Sequence, residues 1–209
     1  MSTRKPLEVI LFLQWERIAG FKSAWHILTV NFPIQSKKAT QAFARLIERS
    51  GGPVDYLRLA KLMYLADRES IRTRGIPIVG GHYYSMRRGP TIGEVMDFVG
   101  KRNAPGWRSV ISPRFGNEIR LQGKPDFGAL SESELEILDA TLQCHSARTT
   151  EELVTWCHKH CQEYEEVPPR GRKTIAVESI LKAVGNSQKR IQHLIREAES
   201  LAKLDEMLA

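Results

Sequence analysis

No catalytic signature interrupts this chain. GxSxG, HExxH, the P-loop and GxGxxG are all missing, so hydrolase, zinc-protease and nucleotide-binding readings have no sequence support. The expectation is a protein that is not an enzyme and carries no cofactor. No apolar run approaches the roughly 18 residues that a helix needs to cross a bilayer. The start, MSTRKPLEVILFLQWERIAG, sets Arg4 and Lys5 ahead of an apolar stretch in the manner of a signal peptide. Glu8 breaks that stretch, however, and no small-residue cleavage site follows. Cysteine is scarce as well: three residues, an odd number, do not make a disulfide framework and suit a reducing compartment. Internal repeats and low-complexity tracts are absent. These absences give the expectation of a cytoplasmic protein with no membrane partner.

What is present is ordinary globular material. The chain has 209 residues, 42% hydrophobic and 26% charged, enough for one well-packed domain with or without a terminal appendage. The net charge of +7 directs attention to nucleic acid or an acidic protein partner and does not choose between them. Plain surface solubility accounts for it equally well.

Residues 1–35 differ from the rest. Phe12, Trp15, Phe21, Trp25 and Phe32 crowd together without an amphipathic period, and Pro33 closes the segment, which reads as an N-terminal extension. From Ser36, a plausible N-cap, an apolar stripe of Ala39, Ala42, Phe43, Leu46 and Ile47 marks a helix ended by Gly51 and Gly52. Asp55 opens a second helix to about Arg74, whose Leu57, Leu59, Ala60, Leu62, Met63, Tyr64, Leu65 and Ala66 cover nearly its whole circumference. A helix apolar all round is buried, so this is the expected centre of the domain. Lys61 and Asp67 interrupt it and read as structural, each neutralised by a neighbour or reaching the surface. Gly75 and Pro77 end the helix.

Ile78 to Met86 alternates as a strand, with His82, Tyr84 and Met86 on one side and Tyr83 and Ser85 on the other. Gly89-Pro90 closes it, and Thr91 is expected to cap a helix over Ile92, Val95, Met96 and Val99. Val110 to Leu121 reads as a hairpin around Phe115-Gly116-Asn117. Capping boxes at Ser131–Glu134 and Thr149–Glu152 start two further helices, the first carrying Leu135, Leu138 and Leu142, the second Leu153, Cys157 and Cys161. A polar connection from Gln162 to Lys173 leads to a short helix with Ile180, Leu181 and Val184. A last helix over residues 186–208 carries Ile191, Leu194, Ile195, Ala198, Leu201, Ala202 and Leu208. The fold class is therefore α+β and predominantly α-helical: one compact domain over residues 36–209, with a small antiparallel β element and a C-terminal helix.

The order of these pieces resembles the Panacea (SocA-like) domain, a family of prokaryotic antitoxins. The family's buried KLLYLAD helix is matched by Lys61-Leu62-Met63-Tyr64-Leu65-Ala66-Asp67. Its following glycine, Pro-Ile pair, tyrosine strand and Gly-Pro look like Gly75, Pro77-Ile78, His82–Met86 and Gly89-Pro90. Downstream, Leu130 to Glu134, Trp156, His158 and Glu163-Tyr164 are similar too, so the resemblance spans roughly Ser36 to Met207. Two positions depart from the pattern: Gly81-His82 stands where many members have Gly-Asp, and Thr91 where the Gly-Pro is usually followed by Val. The resemblance implies an antitoxin that silences a toxin encoded nearby by direct contact, or that delivers it to a protease.

Tyr83, Tyr84, Met86, Arg87, Arg88, Gly89 and Pro90 are the candidate partner-binding residues, because tyrosine and arginine combine large apolar area with directed hydrogen bonds. The competing reading packs alternate tyrosines inward and leaves the arginines solvated. Arg108, Arg114, Arg120 and Lys124, with Lys101 and Arg102, surround the hairpin and form the candidate nucleic-acid surface of a winged-helix-like regulator. A prophage accessory adaptor with no toxin is a third reading. Cys144, His145, Cys157, His158, His160 and Cys161 have the residue types of a metal site. Cys157 and Cys161, though, continue a core stripe with Leu153, so no metal is expected.

Overall fold

The computed structural model describes residues 32–100, 104, 106–194, 196 and 200. Most of the N-terminal extension, Lys101, Arg102, and Ile195, Ala198, Leu201, Ala202 and Leu208 of the last helix lie outside the described residues. Helix α1 (Ser36–Ser50) buries the expected stripe of Ala39, Ala42, Phe43, Leu46 and Ile47. Its N-cap is Gln35 and not Ser36: the Gln35 carbonyl takes the Ala39 amide at 2.8 Å, so the first helical turn begins one residue earlier than the hydroxyl suggested. Gly51, at φ 76°, closes the helix in the left-handed region where a side chain would strain.

A two-residue strand β1 (Val54–Asp55) then runs into helix α2 (Tyr56–Arg74). The Asp55 carboxylate accepts the amides of Leu57 and Arg58 at 2.8 and 3.1 Å, satisfying two of the donors that a helix start leaves open. Every residue from Leu59 to Asp67 is buried, which places α2 at the centre as its all-round apolarity required. Each fully buried leucine or methionine there contributes about 2 kcal/mol of apolar burial. Strands β2 (Tyr83–Met86) and β3 (Gly89–Ile92) follow, then helices α3 (Gly93–Val99) and α4 (Trp107–Val110). Trp107 is buried between Phe43 and Phe98, with ring centroids at 5.1 and 6.0 Å.

Thr91 is not a helix cap. It lies inside β3, paired with Tyr84, and α3 begins after Ile92 with no side-chain cap. The Gly-Pro pair continues the hairpin because Gly89 supplies the left-handed turn residue and Pro90 sits on an outer strand, where a missing donor is tolerated. The expected Phe115–Asn117 turn is present, bridged at Phe115–Glu118 and Ile111–Leu121. The return strand β4 (Glu118–Ile119) forms its ladder with β1.

Helices α5 (Glu132–Cys144) and α6 (Thr150–His160) both begin with complete capping boxes, Ser131 with Glu134 and Thr149 with Glu152. The connection after α6 contains an unanticipated strand, β5 (Arg172–Ile175), which pairs antiparallel with β2 and makes a three-stranded sheet of order β3-β2-β5. Helix α7 (Val177–Ala183) and a helical stretch at 188–194, with Ile191 and Leu194 buried, complete the described structure. The domain is α+β and predominantly helical. Among the described residues, no helix is long and apolar enough to cross a membrane.

Candidate partner-binding site

Two buried carboxylates tie the sheet and the end of α6 to α2. Asp67, near the middle of that helix, receives four hydrogen bonds. Its Oδ1 accepts the amides of Ile78 and Val79 at 2.9 and 3.0 Å, and its Oδ2 accepts the Gly80 amide at 3.1 Å and the Tyr83 hydroxyl at 2.8 Å. One side chain thus shapes the whole approach to β2. Burial pushes its carboxyl up and the four donors pull it partly back, leaving it at about 6. Glu163, just beyond α6, accepts the Tyr64 hydroxyl at 2.6 Å and the Arg68 Nε at 2.7 Å, which fastens the end of α6 to the same face of α2.

On this frame β2 and β3 form a hairpin whose two-residue turn is Arg87-Arg88. Gly89 is left-handed at φ 93°, and a Cβ there would lie 3.1 Å from the His158 ring, so the turn needs glycine for conformation and for space. Residues directly opposite in an antiparallel pair share a face. Tyr84, Thr91 and Thr174 are therefore on one side of the sheet with Met86 and Arg172, while Tyr83 and Ile175 turn to the core.

The seven candidate partner residues accordingly divide. Tyr83 is buried on Asp67, and Gly89 and Pro90 are also buried. Tyr84 and Met86 are half-buried, and Arg87 and Arg88 are exposed. Tyr84 lies across Gly93, where a Cβ would approach its ring to 2.7 Å, and the Arg172 guanidinium covers it at 4.9 Å. Arg88 donates to Glu151 at the start of α6.

Beside the hairpin is a cavity of about 380 Å³, with Leu57 and Lys61 of α2, Met86, Arg87 and Arg88 of the hairpin, Thr91, Met96 and the Arg170-Gly171 turn among its walls. Lys61 neither reaches the surface nor meets a carboxylate, contrary to the sequence expectation. It is 1% exposed, and among the described residues its only acceptor is the Pro90 carbonyl at 2.6 Å. Burial lowers its ammonium to about 8. The Thr91 hydroxyl is buried and has no partner among the described residues. Arg170 is the one described non-glycine residue with positive φ, 64°. Sequence reasoning missed Lys61, Thr91, Glu151, Arg170 and Arg172 as parts of this surface. Only the apolar helix around Lys61 carried a signal, a charge that the fold cannot bring to water.

Among the other candidates, Arg108, Arg114, Arg120 and Lys124 are all exposed around the hairpin at Phe115. Arg114 rests its guanidinium 4.7 Å over the Tyr56 ring. The histidines of the metal reading pack against aromatic rings. His145 and His160 pack against Trp156 at 4.6 and 4.5 Å, and His158 stacks on Tyr164 at 4.5 Å. Cys157 and Cys161 are buried free thiols, and Cys144 is exposed. Among the described residues, no group of three or more His, Cys, Asp or Glu side chains could hold a metal ion.

Fold and site together define a helix-centred α+β domain that presents a hairpin and an adjoining cavity. The chain belongs to the family of antitoxin SocA-like Panacea domains, whose model matches residues 59–163, half of the sequence. The matched span contains the Lys61–Asp67 helix, the hairpin, α5, α6 and Glu163, while α1 and β5 lie outside it. No curated protein and no solved structure matches the chain.

Proposed function

We propose that the protein is an antitoxin that neutralises a toxin encoded nearby through direct protein–protein contact, and that it has no catalytic role. Membership of the SocA-like family is the observation that carries this reading. The surface supports it. Tyr84, Met86, Arg87 and Arg88 offer an aromatic, a thioether and two guanidinium groups at a tight turn, a composition favoured at binding hot spots. The hairpin is braced on both sides, since Asp67 holds the Ile78–Gly80 amides ahead of it and the His158 ring lies beside Gly89. A preorganised surface loses little entropy on binding.

The test is to express the adjacent gene alone and then with this protein. Toxicity that disappears on co-expression, with the two proteins co-purifying, is the expected result. A harmless neighbour points to an accessory adaptor. Rescue with no complex and a falling toxin level points to delivery of the toxin to a protease.

A second reading rests on a separate observation. Arg108, Arg114, Arg120 and Lys124 are exposed around one hairpin in a chain of net charge +7, a surface suited to DNA phosphates. Duplex affinity that falls steeply with salt, with a shallower slope after Arg114→Ala and Arg120→Ala, would favour it. Affinity independent of those two residues would remove it.

A further inference from the structure

Two polar groups in the lining of the cavity beside the hairpin have hydrogen-bonding capacity that no described residue uses. Lys61 carries three N–H donors and uses one of them, on the Pro90 carbonyl. The Thr91 hydroxyl has no partner among the described residues. Both residues are more than nine-tenths buried, both line the same cavity, and no carboxylate pairs with the ammonium among the described residues. Buried polar groups in folded proteins are nearly always satisfied, and an unpartnered hydroxyl and an ammonium with donors to spare in the lining of one cavity mark a place where a ligand supplies acceptors.

The character of that ligand follows from the walls. The buried end carries one formal positive charge, which suits a monoanion better than a phosphate. The donors in that lining with capacity to spare are the Lys61 ammonium and the Thr91 hydroxyl, one for each oxygen of a carboxylate. The remaining walls include Leu57, Met86 and Met96, whose surfaces suit an apolar stem. The volume of about 380 Å³ falls within the range of small-molecule sites. Arg88 is paired with Glu151, and the remaining charged side chains of the lining, Arg87, Arg170 and Asp55, leave the cavity positive in balance.

We propose that this cavity binds a carboxylate carried on an apolar stem, with the anionic group on Lys61 and Thr91 and the stem against Leu57, Met86 and Met96. The assignment is independent of the antitoxin reading, because it concerns the unliganded chain and needs no toxin to test. A free short-chain acid and the acidic side chain of a bound protein present the same chemistry.

The experiment uses the full chain labelled with ¹³C at the methionine methyls and titrated with sodium hexanoate. The Met86 and Met96 signals should move saturably, with a dissociation constant of about 1 mM or tighter, while Met63 in the core stays still. Hexan-1-ol should bind at least about tenfold more weakly, since it lacks the charge that Lys61 meets. Lys61→Met should weaken hexanoate about tenfold or more, and the isosteric Thr91→Val about threefold. Competition by the blocked peptide acetyl-Leu-Glu-Leu-amide assigns the carboxylate to a protein side chain. Hexanoate binding without such competition assigns it to a free acid, and either result leaves the site standing. No saturable shift, equal binding of the alcohol, or unchanged affinity in Thr91→Val and Lys61→Met would overturn the proposal.

Discussion

Replacing Asp67 by Ala should strip the approach to the hairpin of its organiser. The carboxylate accepts three backbone amides and the Tyr83 hydroxyl at 2.8 to 3.1 Å, and all four donors are buried. Water admitted to the vacated space can meet some of them, so the low end of the cost of an unsatisfied buried donor applies. At about 1 kcal/mol for each of four donors, the loss is about 4 kcal/mol. That is a large part of a typical domain's stability and corresponds to a Tm lower by about 8–16 °C at this chain length. Tyr83→Phe removes one of the four bonds and should cost about 1 kcal/mol.

The pH dependence gives a second reading of the same site. Burial raises the folded carboxyl to about 6, above its usual 3.8, so its contribution to stability is full below about pH 4 and is lost as pH rises through 6. The alanine variant lacks this component, and its deficit should be larger at pH 4 than at pH 7 by up to about 3 kcal/mol. His145, held by burial at about 4, titrates in the same window with the opposite effect, but wild type and variant share it and it cancels. Urea unfolding followed by far-ultraviolet circular dichroism at the two pH values measures both quantities. A folded variant that loses less than about 1 kcal/mol at pH 7 would refute the reasoning.

Lys61→Met should stabilise the protein at pH 7. Burial lowers the lysine from 10.5 to about 8, an energetic cost of about 3 kcal/mol, of which the bond to Pro90 returns about 1. A folded value below the unfolded one means that wild type gains stability as pH rises from about 8 to 10.5, so the variant's advantage should fade across that range. Denaturant midpoints at pH 7 and 10.5 test this, and a destabilised variant at pH 7 would contradict it. Glu163→Gln removes the charge that Tyr64 and Arg68 share and should cost about 2–3 kcal/mol by urea unfolding. A cost near zero would show that the contact does not fasten α6 to α2.

The helices were legible because their signals are local. Asp55, Ser131 and Thr149 each have an acceptor beside open amides, and Gly51 and Gly75 take the left-handed conformations that end helices. What escaped depends on pairing between distant segments. Arg172, Lys173 and Thr174 have no apolar alternation, and β5 is a strand because β2 offers it a free edge. Thr91 after Gly-Pro has the form of a helix cap, but its register opposite Tyr84 keeps it in the sheet. The cavity escaped for the same reason. Its walls come from α2, the hairpin, α3, α6 and the turn at Arg170, and no short motif joins them. Lys61 was visible as a charge on an apolar helix, but the lack of a partner carboxylate is a property of the packed neighbourhood.

The most direct test of the central claim is the affinity of the purified protein for the product of its neighbouring gene, measured by calorimetry for wild type and for a Tyr84→Ala, Arg88→Ala double variant. Tyr84 covers Gly93 and Arg88 is exposed, so the double variant should keep its fold, as its circular dichroism will report. The account predicts a stoichiometric complex with wild type and binding at least about tenfold weaker, about 1.4 kcal/mol, with the variant. No complex would contradict the antitoxin reading itself, and a complex of unchanged affinity would contradict the placing of its contact at the hairpin.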